Sequence, residues 1–140
     1  MAHKKRETRI KKLLEIMKKE RGYLPPSYRF VANEDPDFLE AYNKLYDRAL
    51  MDGKALPARI RELIAIPLLA YRGHHEAVYN HCKRALKLGA TKQELLEAIE
   101  TSIIFGGTPT FGNGLRALIR IEEDEKKEKQ EGKKGKNKGV

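Results

Sequence analysis

The residues equipped for acid–base chemistry gather in one part of the 140-residue chain: Glu62, then His74, His75 and His81, with the lone Cys82 beside the last. Glu62 comes one residue before Leu63–Ala70 (LIAIPLLA), an all-apolar run, so it is drawn toward the core. A buried carboxylate is costly unless it is paired or protonated. On the surface instead, it would pair with Arg59 or Arg61. His74 and His81 are seven residues apart and share one helix face, whereas His75 reaches that face only from the helix start. A carboxylate and an imidazole in one apolar cleft have the means for general acid–base catalysis. The plainer alternatives are that His74 and His75 only begin a helix and that His81 is a hydrogen-bonded core residue. Three histidines and a glutamate could also hold a metal, but no HExxH or comparable zinc spacing is present, and no metal is expected.

Helices must position these groups. One is expected from Pro57, suited to a first helical turn, to Arg72 with Gly73 as its stop. Its apolar run has no polar face, which predicts burial on all sides, and Pro67 inside it predicts a kink. A second helix is expected over 75–88, ended by Gly89. Thr91 and Glu94 (TKQE) form a capping box opening a third, which Gly106 and Gly107 end. Pro109 leads to a further helix carrying Leu115, Leu118, Ile119 and Ile121.

Upstream, an amphipathic helix over 6–21 has Ile10, Leu13, Leu14 and Met17 on one stripe. A stiff Leu24-Pro25-Pro26-Ser27 loop follows, then a short helix over 27–32. Asp35-Pro36 opens another helix, with Phe38, Leu39, Tyr42, Leu45, Tyr46 and Ala49 at helical spacing and Asp52-Gly53 as its stop. No period-2 strand or internal repeat appears. The expected fold is all-α, about six helices around a central antiparallel helix hairpin. It forms a single domain over 1–131 with a disordered basic tail over 132–140.

The net charge of +9 belongs to the ends. Residues 1–21 hold nine Lys/Arg against three Glu and residues 126–140 seven Lys against two Glu, leaving the middle slightly acidic. The ends suit weak polyanion binding through counterion release, without the aromatic interleaving of a specific nucleic-acid reader. No run approaches the ~18 apolar residues of a membrane span, and the basic N-terminus lacks a signal-like apolar segment. One cysteine cannot form an internal disulfide, which fits a reducing, cytoplasmic setting.

From Leu56 to Leu118 the sequence resembles the carboxymuconolactone decarboxylase family, which also contains the alkylhydroperoxidase-D-like disulfide reductases. The resemblance rests on LPARIRELIAI, on His81 and the KRALKLGAT that follows Cys82, on the glutamate of KQELLEAI, and on GGTPTFGNGLRAL with Pro109 and Asn113. It implies a compact helical unit around a two-helix hairpin, assembled as homotrimers or homohexamers. In the reductase branch a CxxC pair precedes the histidine. Counting back from His81, its two positions fall on His74 and Ala77, so the dithiol needed to reduce a peroxide is missing. Cys82 is expected to be a small buried hydrophobe.

The decarboxylase branch is the better match, through His75-Glu76 and His81 in His-Glu-x4-His spacing. It implies cofactor-free decarboxylation of a small carboxylated lactone or related acid. The roles it suggests are His81 as general acid, Glu62 as the group orienting it, His75 as second acid or carboxylate ligand, and His74 and Asn113 as substrate-binding residues. A related isomerase or lactone-processing activity would use the same residues, and a non-catalytic oligomeric scaffold would keep only the fold.

Overall fold

The computed structural model describes residues 2–51, 53 and 55–136. Among them every regular element is a helix: α1 (Ala2–Arg21), α2 (Pro26–Glu34), α3 (Pro36–Tyr46), a π-helical turn (Asp47–Met51), α4 (Ala58–Tyr71), α5 (His75–Lys87) and α6 (Lys92–Lys136). The fold is all-α, as the periodicity predicts. Where the sequence reads as one domain, the chain gathers into two compact units, Met1–Arg61 and Glu62–Val140, with the boundary inside α4.

In the N-terminal unit, Ile10, Leu13 and Met17 of α1 form a core with Ala32 and Leu39, flanked by half-buried Leu14. The Asp35 side chain accepts from the Phe38 backbone N–H at 3.0 Å and so caps α3. Only part of the α3 apolar pattern is buried: Leu39 and Tyr46 are, whereas Phe38 and Leu45 face outward. The helix does not continue regularly to 52 but passes into the π-helical turn. Of its expected Asp52-Gly53 stop, Asp52 lies outside the described residues. Arg61 ties the end of this segment together, donating to the carbonyls of Arg48 (2.6 Å), Ala49 (2.9 Å) and Leu56 (3.2 Å).

The core of the C-terminal unit combines Ile66 and Ala70 of α4, Val78, Cys82 and Ala85 of α5, and residues of α6. α5 packs chiefly against α6, supplying the expected hairpin. Gly89, with φ 93°, ends the approach to the α5–α6 turn. The predicted capping box is present: the Thr91 N–H donates to Glu94 Oε2 at 2.8 Å and the Glu94 N–H to Thr91 Oγ1 at 3.0 Å.

The expected stop at Gly106-Gly107 is a sharp break within α6. Gly107 has φ 73° and ψ −177°, a backbone region essentially reserved for glycine. The chain doubles back there. A straight helix would hold residues 33 apart at roughly 50 Å, yet Lys92 Nζ lies 2.7 Å from Glu125 Oε2. The returning half also meets Ile99, for a Cβ on Gly114 would lie 2.5 Å from the Ile99 Cγ2.

Two expectations are corrected. α4 is not buried on all sides: Ile66 and Ala70 are sealed, but Ile64 and Leu68 are 49% and 62% exposed. A 14-residue helix lying on one neighbouring layer hides one stripe, whatever its composition. As expected, Pro67 lies inside α4, which continues to Tyr71. Finally, residues 132–136 extend α6 instead of starting a disordered tail, and 137–140 lie outside the described residues. Alternating Glu and Lys on the outer part of α6 supports helix without an apolar face.

The tight approach at Gly114 makes a direct prediction. Gly114→Ala should destabilise the protein by about 1–3 kcal/mol, because the new methyl must displace the fully buried Ile99. Urea denaturation of the two proteins measures the difference, and an unchanged midpoint would contradict the close packing.

Candidate functional site

α4 and α5 bring Glu62 and His81 together in the core of the C-terminal unit. Glu62 opens the buried stripe that continues with Ile66 and Ala70, at the four-residue spacing that stacks side chains on one face. On α5 the buried positions include Val78, His81, Cys82, Arg84 and Ala85. His81 and Arg84 are three residues apart and therefore neighbours on the helix surface.

The three polar groups form a closed arrangement. His81 Nδ1 lies 2.5 Å from Glu62 Oε2, and Arg84 Nε lies 2.7 Å from Glu62 Oε1. Glu62 has no exposed surface and the other two side chains almost none. Arginine is always charged and a carboxylate only accepts hydrogen bonds. The guanidinium therefore balances the carboxylate, and His81 Nδ1 carries a hydrogen toward it. In that tautomer Nε2 is the ring's second nitrogen, on the side away from Glu62.

Of the surface alternatives for Glu62, neither Arg59 nor Arg61 is its partner. Arg84 is, and the sequence reading missed it. The available signal was its place one helical turn after His81, in a stretch whose other basic residues, Lys83 and Lys87, are exposed.

The remaining candidates lie elsewhere. His74 is the residue before α5, exposed and without a side-chain cap, and His75 is the exposed first residue of the helix. Neither joins the contacts of Glu62. Asn113 donates from Nδ2 to the Ala70 carbonyl at 2.9 Å, tying the returning half of α6 to the end of α4. Among the described residues no three His, Cys, Asp or Glu side chains converge as a metal site, and no helix is long and apolar enough to cross a membrane.

Cys82 is fully buried beside the triad. Burial, reinforced by the nearby Glu62 charge, pushes its thiol up to about 12. It is a core hydrophobe, poor in the thiolate that redox or nucleophilic chemistry needs.

A cavity of about 540 Å³ opens between α4 and the first half of α6, lined by Leu63, Pro67, Leu68 and Tyr71 on one side and Ser102 and Phe105 on the other. Glu62, His81 and Arg84 are not in its walls. This apolar cavity and the Glu62–His81–Arg84 cluster are therefore separate features.

The carboxymuconolactone decarboxylase family model matches residues 36–120, well over half of the chain, and the chain belongs to that family. Similar proteins include uncharacterised ones from Methanocaldococcus jannaschii, 27% identical over 64% of this chain and 83% of the relative, and from Cupriavidus necator, 35% identical over 59% and 73%. Among solved structures, a candidate carboxymuconolactone decarboxylase from Burkholderia xenovorans superposes with a TM-score of 0.75 at 28% identity, covering 90% of this chain and 98% of that one. The apo form of a carboxymuconolactone decarboxylase family protein from Legionella pneumophila gives a TM-score of 0.63 at 25% identity, covering 81% and 95%.

Two outcomes follow from the buried groups. Replacing Arg84 by Leu removes the guanidinium but leaves Glu62 sealed in the core, and should cost about 3–5 kcal/mol of stability. Chemical denaturation tests this, and a loss below about 1 kcal/mol would mean that Arg84 is not needed to balance Glu62. Cys82 should resist a thiol reagent such as Ellman's at pH 8 in the native protein and react promptly in denaturant. Rapid native labelling would contradict its burial and raised pKa.

Proposed function

We propose that this protein catalyses cofactor-free decarboxylation of a small carboxylated lactone or related acid at the Glu62–His81–Arg84 site. The observation that supports the reading most is the 2.5 Å contact between His81 Nδ1 and a carboxylate that is itself paired with a buried guanidinium. Such a contact fixes the ring's orientation and directs its other nitrogen to the reacting molecule.

In this reaction the bond between the ring carbon and the carboxylate breaks, carbon dioxide leaves, and the electron pair remains delocalised in the unsaturated lactone. One proton must then reach carbon. His81 supplies it from Nε2 and regains one from water, while Glu62 balances the doubly protonated ring through Nδ1. Arg84 is a positioning residue: it holds the carboxylate by its second oxygen and leaves the first for His81. Apolar neighbours favour the charge loss that accompanies departure of carbon dioxide. His74 and His75, at the exposed start of α5, have no part in this proton path. The buried free thiol of Cys82 suits the reducing conditions of the cytoplasm.

A second reading is favoured by the near-complete burial of the triad and its separation from the open cavity: a non-catalytic scaffold in which the three polar groups only lock α4 to α5. The same experiment separates the two. The wild type, Glu62→Gln and His81→Gln are assayed on carboxymuconolactone and related lactone acids, with circular dichroism to check folding. Catalysis predicts wild-type turnover that falls about 10²-fold or more in both folded variants. Absence of wild-type turnover on every lactone acid would favour the scaffold, and retention within threefold in His81→Gln would remove His81 from the reaction.

A further inference from the structure

The outer face of α1 carries a pattern that neither the core nor the Glu62–His81–Arg84 site uses. Its lysines come in adjacent pairs, Lys4-Lys5, Lys11-Lys12 and Lys18-Lys19, each pair seven residues after the last, and all six are exposed. Seven residues are two helical turns less about 20°, so the pairs stack into two rows along the helix, with Thr8 and Glu15 between them. The buried stripe of Ile10, Leu13 and Met17 occupies the opposite side and so turns the rows toward solvent.

The arginines of α1 are committed to the fold. Arg6 donates to the Asn33 carbonyl, Arg9 is paired with Asp37 and Glu40, and Arg21 is buried. The lysines are not so used. Among the described residues none of the six forms an ion pair, although Glu15 is within one turn of four of them.

Six ammonium groups along roughly 22 Å of helix complement an equally extended array of negative charge. A DNA duplex supplies one, with a phosphate per ~1.7 Å of axis and hence about 13 over the same length. Lipid headgroups are anionic too, but a basic helix holds a membrane by sinking its apolar side among the acyl chains. In α1 that side is the core of the unit, and the one large apolar side chain it leaves exposed is Ile16, at 39%. Single strands are held by aromatic platforms, and α1 contains no Phe, Tyr or Trp. An RNA duplex is recognised through its 2′-hydroxyls, for which this face offers Thr8, whose Oγ1 already donates to the Lys4 carbonyl at 2.9 Å. Lysine is a point charge suited to phosphate, and the face lacks the planar Arg, Asn or Gln side chains that commonly read base edges.

We propose that the lysine face of α1 binds the phosphate backbone of duplex DNA without regard to sequence. The contact does not depend on whether the triad is catalytic.

Fluorescence anisotropy of the full chain with labelled duplexes of about 20 base pairs tests this. Two duplexes of unrelated sequence should bind in the micromolar range at about 50 mM NaCl, within threefold of each other. Raising the salt to about 200 mM should weaken both by about 10²–10³-fold, the loss that four to six phosphate contacts predict. Lys11→Gln/Lys12→Gln, folded by circular dichroism, should bind at least tenfold more weakly at the lower salt and reduce the slope of log affinity against log salt by about two. Lys126→Gln/Lys127→Gln removes the same charge from the outer part of α6 and should stay within threefold of the wild type. Equal losses in the two variants would make net charge the cause and overturn the proposal, as would absence of binding at the lower salt. An RNA duplex of the same sequence bound more than threefold tighter, or phosphatidylserine vesicles that displace the bound DNA at equal charge concentration, would name a different partner and overturn it equally.

Discussion

The C-terminal unit depends on one electrostatic requirement: the Glu62 carboxylate, sealed from water, must be compensated on the spot. Withdrawing an ionised carboxylate from water costs several kcal/mol even after the protein relaxes, and only close, well-placed partners offset it. His81 and Arg84 provide these from a single face of α5. The pairing consequently fixes the rotation of both helices, since a slip of one residue on α5 would turn both partners away. The same contacts hold the His81 ring in one orientation, so in the proposed reaction the stabilising arrangement and the chemically useful one coincide. Separating them requires kinetics as well as stability measurements.

The second constraint is steric and lies in α6. A Gly107 conformation closed to other residues reverses the helix, and the absence of a side chain at Gly114 lets the returning half press against Ile99. Asn113 then reaches the Ala70 carbonyl and Tyr79 donates to Asp124 Oδ2 at 2.6 Å, fastening that half to the end of α4 and to α5. The reversal also leaves Ile104 and Phe105 standing at the corner. Their exposure is a consequence of the turn, because side chains just before a sharp break have no neighbouring layer to cover them.

The N-terminal unit answers the problem of a buried charge differently. Arg21 is almost wholly inaccessible and donates to Asn43 Oδ1 at 2.6 Å, while its guanidinium lies 3.6 Å from the Tyr46 ring centroid and near those of Tyr28 and Tyr42. Aromatic faces and an amide stand where Glu62 has a guanidinium and an imidazole. Such faces attract a cation without a second ion having to be desolvated. Tyr42 and Tyr46, four residues apart on α3, read from sequence as ordinary apolar positions, and the buried arginine beside them reads as one more basic residue of a basic helix.

Local chemistry therefore determined much of this protein. The α1 stripe, the Asp35 cap of α3, the Thr91–Glu94 box and the break at Gly106-Gly107 each depend on residues close in sequence, and each is present as the pattern predicts. So does the placement of Glu62 next to an apolar run and of His81 on an inward helix face. Tertiary structure decided what depends on who comes near whom. It chose Arg84 over Arg59 and Arg61 as the partner of Glu62, committed Asn113 to a backbone carbonyl, left His74 and His75 in water, and exposed half of a helix whose composition predicts full burial. The physical reason is common to all of these: periodicity fixes the face a side chain occupies, but burial and pairing belong to the surface opposite it, which in this fold is supplied by residues 19 to 45 positions away.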